Sequence, residues 1–184
     1  MRSRVVLLVS LILFASGCTA QKPASTAGWK RYESPELGVR ATFPCQPEKT
    51  TALPALNGDP NVVGLACEAG GLRFLITRRN HLNPYTDDTP REIFDSNRKL
   101  FKGIFGKPDE FSESDDCQTD HPCHIYDISV KDMRVRSQIV VTRDATIEAM
   151  VGTVPRESGG VSKESLASFD ETFNEFIGAL EVSK

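Results

Sequence analysis

The sequence from Cys123 to Val154 reads CHIYDISVKDMRVRSQIVVTRDATIEAMVGTV, and it contains three strand-length segments in succession. The segments cover residues 123–130, 134–142 and 146–154, and the polar pairs Lys-Asp and Arg-Asp separate them. Apolar segments of this length, broken by turn residues, are typical of antiparallel strands joined by tight turns. This stretch therefore predicts the centre of an antiparallel sheet.

Segments nearer the N-terminus add further strands. Residues 39–43, 61–68 and 72–78 have strand-like patterns, and Gly70-Gly71 supplies a hairpin turn between the last two. We expect these three segments to form an antiparallel meander. Residues 110–117 add one more strand, so the sheet is expected to have about six to seven strands.

Two helices accompany the strands. Residues 89–92 read Thr-Pro-Arg-Glu, which predicts a helix capped by Thr89 that ends at Gly106. Its predicted buried face consists of Ile93, Phe94, Leu100, Phe101, Ile104 and Phe105. A last helix, capped by Ser162 or Ser165, has a predicted apolar face of Leu166, Phe169, Phe173, Phe176, Ile177 and Leu180. This order of elements predicts an α+β class in which two helices flank the sheet.

Several short motifs of the chain resemble those of a known family. Residues 32–44 read YESPELGVRATFP and resemble the opening of bacterial PsbP-like and DcrB-like lipoproteins. Asp120-His121-Pro122 before a strand and the Phe-rich last helix follow the same order of elements. The resemblance covers residues 29–182 and implies a PsbP-like sheet flanked by helices. It also implies a fold that other branches use for docking to protein complexes.

The N-terminus has the features of an exported lipoprotein. Arg2 and Arg4 precede an apolar run of about eleven residues, which is typical of a signal peptide and too short to span a bilayer. Ser16-Gly17-Cys18 resembles the lipobox of bacterial lipoproteins, which implies cleavage before Cys18 and attachment of lipid to it. We expect residues 1–17 to be the signal peptide, 18–28 a flexible tether and 29–184 one domain. In that family Thr19, which is not aspartate, implies the periplasmic face of the outer membrane.

The charge of the chain disfavours one class of partner, and its cysteine content predicts disulfides. Without residues 1–17 the chain has 20 basic and 25 acidic residues, a balance that disfavours nucleic acid as a partner. Four cysteines remain beside Cys18, and an even number in an oxidising compartment predicts two disulfides among three possible connectivities. Cys117 and Cys123 flank a turn-rich stretch and would close a hairpin neck, in which case Cys45 would pair with Cys67.

Two clusters contain residue types that bind metals. The first could hold zinc or copper and consists of Cys117, Asp120, His121, Cys123 and His124. The second could hold calcium and consists of Asp109, Glu110, Glu113, Asp115, Asp116 and Asp120. Neither spacing matches a metal motif, and a disulfide and a solvated strand edge explain these residues better. The sequence therefore predicts no metal site and no cofactor.

The best candidate for a docking surface is a set of arginines on strands that we expect to be neighbours: Arg73, Arg78, Arg79, Arg134 and Arg136. Arg134 and Arg136 share a face and could bind an acidic partner or lipid headgroups. No serine has a Gly-x-Ser-x-Gly setting, and the histidines lie in or beside loops, so no enzyme is predicted. We expect a protein-binding envelope module that is not an enzyme. The alternative is a lipoprotein that binds a small molecule or metal, which an apolar pocket between helices and sheet would favour.

Overall fold

A computed structural model of the chain describes residues 28–50, 61–131, 133–154 and 162–183. The predicted signal peptide, Cys18 and all of the predicted tether except Gly28 lie outside these residues. The described elements, in chain order, are β1 (Lys30–Ser34), β2 (Val39–Phe43), β3 (Glu48–Thr50), β4 (Val62–Ala69), β5 (Leu72–Asn80), α1 (Thr89–Phe105), β6 (Glu110–Ser114), β7 (Cys123–Val130), β8 (Met133–Val141), β9 (Ala145–Thr153), α2 (Lys163–Ala167), α3 (Phe169–Gly178) and β10 (Glu181–Val182). None of the described helices is long and apolar enough to cross a membrane.

Seven strands form the large sheet, in the order β3-β4-β5-β9-β8-β7-β6. All neighbouring pairs in this sheet are antiparallel. β9 pairs with nine residues of β5 on one side and with seven residues of β8 on the other. The prediction that residues 123–154 form the centre of an antiparallel sheet is confirmed for β8 and β9. Gly70 and Gly71, at φ values of 60° and 75°, make the left-handed turn between β4 and β5.

The prediction that residues 39–43 join the large sheet is wrong. β2 pairs with β1 and β10 in a separate three-stranded sheet. The physical reason is that β2 buries Val39, Ala41 and Phe43 against one face of the large sheet, as part of a layer above it. β1 and β10 are short polar strands with few buried residues, and neither was predicted.

The first hydrophobic core lies between the large sheet, the small sheet and α3. Phe176 is buried at its centre, with edge-to-face contacts to Phe43 at 5.3 Å and Phe74 at 5.4 Å between ring centroids. The predicted single last helix is two helices, because the chain departs from regular helix at Ser168. Ser162, one of the two predicted caps, accepts a hydrogen bond from the backbone of Ser165 at 3.0 Å.

The second core lies on the opposite face of the large sheet, under α1. Phe101 packs there against Tyr126, whose hydroxyl donates to the backbone carbonyl of Phe94 at 2.6 Å. Two details of the predicted helix are wrong. Thr89 is the first helical residue rather than the cap, and its hydroxyl accepts a hydrogen bond from an earlier backbone amide. Ile104 is 46% exposed because it falls outside the buried stripe.

Both cysteine pairs lie at disulfide distance. The Cα atoms of Cys45 and Cys67 are 6.0 Å apart, and those of Cys117 and Cys123 are 6.4 Å apart. The first pair links the end of β2 to β4 and so joins the two sheets. The second closes the loop between β6 and β7, as the hairpin-neck interpretation predicts.

Candidate ligand pocket

A cavity of about 510 Å³ lies between α1 and the large sheet, at the edge of the second core. The sheet forms its floor, the first turns of α1 form its roof, and the segment between β5 and α1 forms its side. The floor residues are Val62, Thr77, Arg79, Ile139, Thr146 and Glu148. The roof and side include Leu82, Pro84, Glu92, Ile93, Ser96 and Asn97. The lining thus combines apolar side chains with a larger number of polar ones.

The strand register brings the polar floor residues together. Thr77 of β5 lies directly opposite Glu148 of β9, and Arg79 lies directly opposite Thr146. Residues two apart on a strand share a face, so all four side chains point toward the α1 side of the sheet. The polar centre of the pocket therefore follows from alternation in two adjacent strands.

Glu148 is the central polar group of the floor. Its Oε1 accepts a hydrogen bond of 2.6 Å from the buried hydroxyl of Ser137 on β8. Burial raises the pKa of Glu148, and the Ser137 hydrogen bond and the positive charge of Arg79 oppose that rise only in part. Ser137 donates to a carboxyl rather than to a histidine and is fully buried, so this arrangement is suited to hydrogen bonding and not to nucleophilic attack.

Hydrogen bonds hold the segment that forms the side of the pocket. The backbone amide of His81 donates to the carbonyl of Asp144 at 2.9 Å. The His81 ring also contacts the carbonyl of Arg143 at 3.3 Å through Nδ1 and the hydroxyl of Thr146 at 3.1 Å through Nε2. A donor at Nδ1 leaves Nε2 as the acceptor for Thr146. These hydrogen bonds link the segment to Arg143 and Asp144 in the β8–β9 turn and to Thr146 of β9.

Three of the five residues that were considered as zinc or copper ligands have other contacts in the structure. Cys117 and Cys123 form a disulfide pair, and His124 is buried between the rings of Phe94, at 5.2 Å, and Tyr126, at 4.7 Å. Among the residues that the structure describes, no three His, Cys, Asp or Glu side chains converge in a way that could hold a metal ion.

The second cluster contributes to an ion-pair network at the exposed edge strand β6. Glu113 contacts Nε2 of His124 at 2.9 Å and accepts hydrogen bonds of 2.6–2.8 Å from Arg98. Asp115 contacts the other ring nitrogen of His124. Hydrogen bonds from Arg98 outweigh the effect of burial and hold the pKa of Glu113 below its usual value. Glu113 and Asp115 therefore contact side chains of the same chain.

The five predicted docking arginines do not form one surface. β9 lies between β5 and β8, so the expectation that these arginines sit on neighbouring strands is wrong. Alternation along β5 also places Arg73 and Arg79 on the α1 side of the sheet and Arg78 on the other. Arg78 there donates to the side chain of Asn80 at 2.9 Å.

Arg134 and Arg136 do lie together, over the α3 face. Both pair with Asp127 and Asp170, and their guanidinium groups lie 4.8 Å above the ring of Phe169 and 5.0 Å above that of Phe173 respectively. Only 23% and 17% of their side-chain surfaces are exposed. These charges are therefore compensated within the domain.

Sequence reasoning did not single out Glu148 or Ser137, the polar residues at the floor of the pocket. Glu148 is a charged residue in the middle of the otherwise apolar and small β9, and Ser137 occupies a similar place in β8. Polar side chains at inward positions of central strands are unusual unless they are paired or face a cavity. The polar residues are visible in the sequence, but Arg79, whose charge acts on Glu148, lies far from it along the chain.

Comparisons with known proteins identify the fold. No family model matches this chain, and no curated protein matches it. A solved structure that is similar is that of cyanobacterial PsbP (CyanoP) from Synechocystis sp. PCC 6803, with a TM-score of 0.57 over 88% of this chain and 96% of that chain. This chain has a PsbP-like fold. The sequence identity is 10%, so the similarity establishes the architecture of the PsbP-like domain and not its activity.

Proposed function

We propose that this protein is a binding module of the bacterial cell envelope, not an enzyme, and that it takes a small molecule into the pocket between α1 and the large sheet. The observation that carries the proposal is the cavity of about 510 Å³, whose floor, roof and side come from three separate parts of the fold. Its volume lies within the range of about 300–1,000 Å³ that small-molecule sites occupy.

The cellular setting in this proposal comes from the N-terminal sequence. A basic start, a short apolar run and Ser16-Gly17-Cys18 support export, cleavage before Cys18 and lipid anchoring through it. The PsbP-like domain would then sit on a membrane surface without spanning it, at the periplasmic face of the outer membrane. Intact-mass spectrometry checks this directly, since a mature chain should begin at an acylated Cys18.

We favour the pocket over protein docking at Arg134 and Arg136. Their pairing with Asp127 and Asp170 leaves little net charge for an acidic partner. Charge reversal at either arginine would also break ion pairs inside the domain, so a lost interaction there would report misfolding as readily as docking. Protein binding elsewhere on the domain remains the competing function.

Native mass spectrometry of the protein purified from membranes of its own host tests the proposal. We expect a non-protein mass of small-molecule size on the wild type. Ser96→Trp fills the roof of the pocket from an exposed position of α1 and should abolish that mass. Lys99→Trp is the matched control, because Lys99 is exposed on the same helix and does not line the pocket.

Two results would contradict small-molecule binding. One is a wild-type protein that carries no added mass, together with one protein recurrently crosslinked to it, which would favour a docking module. The other is an added mass that Ser96→Trp and Lys99→Trp both retain, which would locate the ligand outside the pocket.

A further inference from the structure

We infer that the ligand of this pocket is a small saccharide, bound through its hydroxyl groups to polar side chains on the floor, roof and side. This inference rests on the proposed function, because it names the class of molecule that the same pocket takes. It is carried by the spread of hydroxyl and amide side chains over all walls of the cavity, and by the hydrogen-bonding capacity that several of them retain.

Hydroxyl and amide side chains are the largest group among the described lining residues, and they occur on every wall. Thr77 and Thr146 lie on the floor, Ser96 and Asn97 on the roof, and Asn83 on the side. Each of these side chains can both donate and accept a hydrogen bond. A saccharide hydroxyl also does both, and a sugar ring carries several of them around its circumference. Polar groups on three walls therefore match a ring with many hydroxyls better than a ligand with one polar end.

The floor has buried hydrogen-bonding groups that are not saturated. Thr77 is 4% exposed and lines the cavity, and no hydrogen bond within the described part of the chain reaches its hydroxyl. A buried hydroxyl without a partner is costly, so a ligand that supplies one is favoured. Directly opposite, Ser137 occupies Oε1 of Glu148, and none of the hydrogen bonds between described residues reaches Oε2. A saccharide hydroxyl can pair with Glu148 in either protonation state, since it donates to a carboxylate and accepts from a neutral carboxyl.

Two acceptors are held in place by hydrogen bonds within the domain. The amide nitrogen of Asn97 donates to the carbonyl of Ile93 at 2.9 Å, which leaves the amide oxygen as an acceptor. The hydroxyl of Thr146 lies 3.1 Å from Nε2 of His81, and when it donates there its oxygen keeps the capacity to accept. Acceptors fixed in this way reduce the entropy lost when a ligand binds.

Apolar side chains occupy smaller parts of the lining. Ile93 lies on the roof, and Val62 and Ile139 lie on the floor. A sugar ring has C–H groups on its two faces beside its polar rim, and these can pack against such side chains. Polar groups would then fix the orientation of the ring in the cavity.

A panel of methyl glycosides tests the inference. The methyl glycosides of glucose, galactose, mannose and N-acetylglucosamine are titrated into the full-length protein in nanodiscs at pH 7, with empty nanodiscs as the blank. Tetrahydropyran, which has the same ring without hydroxyls, is the matched control compound. Binding is followed by saturation-transfer nuclear magnetic resonance. We expect at least one glycoside to bind about tenfold more tightly than tetrahydropyran, a difference of about 1.4 kcal/mol.

Variants locate the glycoside in the pocket. Thr77→Val removes the floor hydroxyl, keeps the shape of the side chain and should weaken glycoside binding severalfold. Thr172→Val is the matched control, because Thr172 is also 4% exposed but lies in α3, outside the pocket. Ser96→Trp should abolish glycoside binding, and Lys99→Trp should retain it.

The outcomes separate this inference from the proposed function. Tetrahydropyran that binds as tightly as every glycoside overturns the saccharide and leaves the pocket as a binding site. Equal losses in Thr77→Val and Thr172→Val overturn the binding of a saccharide at the floor. If no glycoside binds, the mass carried by the protein from its own host decides between the two. An added mass that Ser96→Trp removes overturns the saccharide alone, and a protein without added mass contradicts both proposals.

Discussion

Replacement of Asp127 by asparagine tests the ion-pair cluster over α3. Asp127 is 17% exposed and accepts hydrogen bonds of 2.8–3.2 Å from Arg134 and of 2.8 Å from Arg136. Loss of one partner of a buried ion pair costs about 3–5 kcal/mol. Asp170 still contacts both arginines, at 2.9 and 2.8 Å, and water reaches part of the cluster. We therefore expect Asp127→Asn to lower the free energy of unfolding by about 2–3 kcal/mol.

The assay is urea unfolding at pH 7, followed by the fluorescence of Trp29. This residue is the single tryptophan of the chain and packs edge-on against Phe74, with ring centroids 5.6 Å apart. Asp170→Asn is the control, because Asp170 binds the same arginines but is 57% exposed. An exposed pair contributes about 0.2–1 kcal/mol, so the control should be much the milder substitution.

The pH dependence has a definite sign. Burial tends to raise the pKa of Asp127, but hydrogen bonds from Arg134 and Arg136 outweigh it and hold that pKa below its usual value. The stabilisation is therefore fully present above the unfolded-state pKa of about 3.9 and is lost as pH falls through the lower folded-state value. The difference between wild type and Asp127→Asn should shrink between pH 7 and pH 3. A difference that stays constant, or one no larger than that of Asp170→Asn, would refute this account of the cluster.

Three further substitutions probe the pocket and the two cores. Glu148→Gln should stabilise the fold at pH 7 and have less effect near pH 4. The reason is that the pKa of Glu148 is raised in the folded state, so the wild type loses stability as pH rises through the titration of this carboxyl. Urea midpoints with the opposite pH trend would contradict this. Phe176→Ala should cost about 3–5 kcal/mol and the exposed Ile104→Ala below about 0.5 kcal/mol in the same assay, and equal costs would argue against the central place of Phe176. Tyr126→Phe should cost about 1 kcal/mol by thermal unfolding, and no loss would mean that its hydrogen bond to α1 adds nothing.

Local patterns predicted much of the fold because each depends on residues close in the chain. The alternation in residues 134–154 and the turns within it are set by immediate neighbours, and the structure has strands there. The edge position of residues 110–114 could also be expected, since a run of acidic side chains tolerates solvent on both faces.

What the sequence did not predict depends on long-range pairing. Residues 39–43 alternate as a strand in either sheet, and only the buried contacts of Val39 and Phe43 with the layer below assign them to the small one. The pocket likewise requires knowledge that β9 separates β5 from β8, which brings Arg79 and Glu148 to one floor. The sequence also has a helix pattern that continues through Ser168, whereas the structure has two helices, α2 and α3, that meet there.

The small sheet determines where the chain enters the domain. Trp29 leads directly into β1, which lies in the layer on the α3 side of the large sheet, whereas the pocket opens on the α1 side. For a chain held at Cys18, membrane attachment and ligand exchange would therefore use opposite layers. If the anchor proposed at Cys18 holds the chain, a bilayer that lay against the entry layer would leave the mouth of the pocket open to the aqueous compartment.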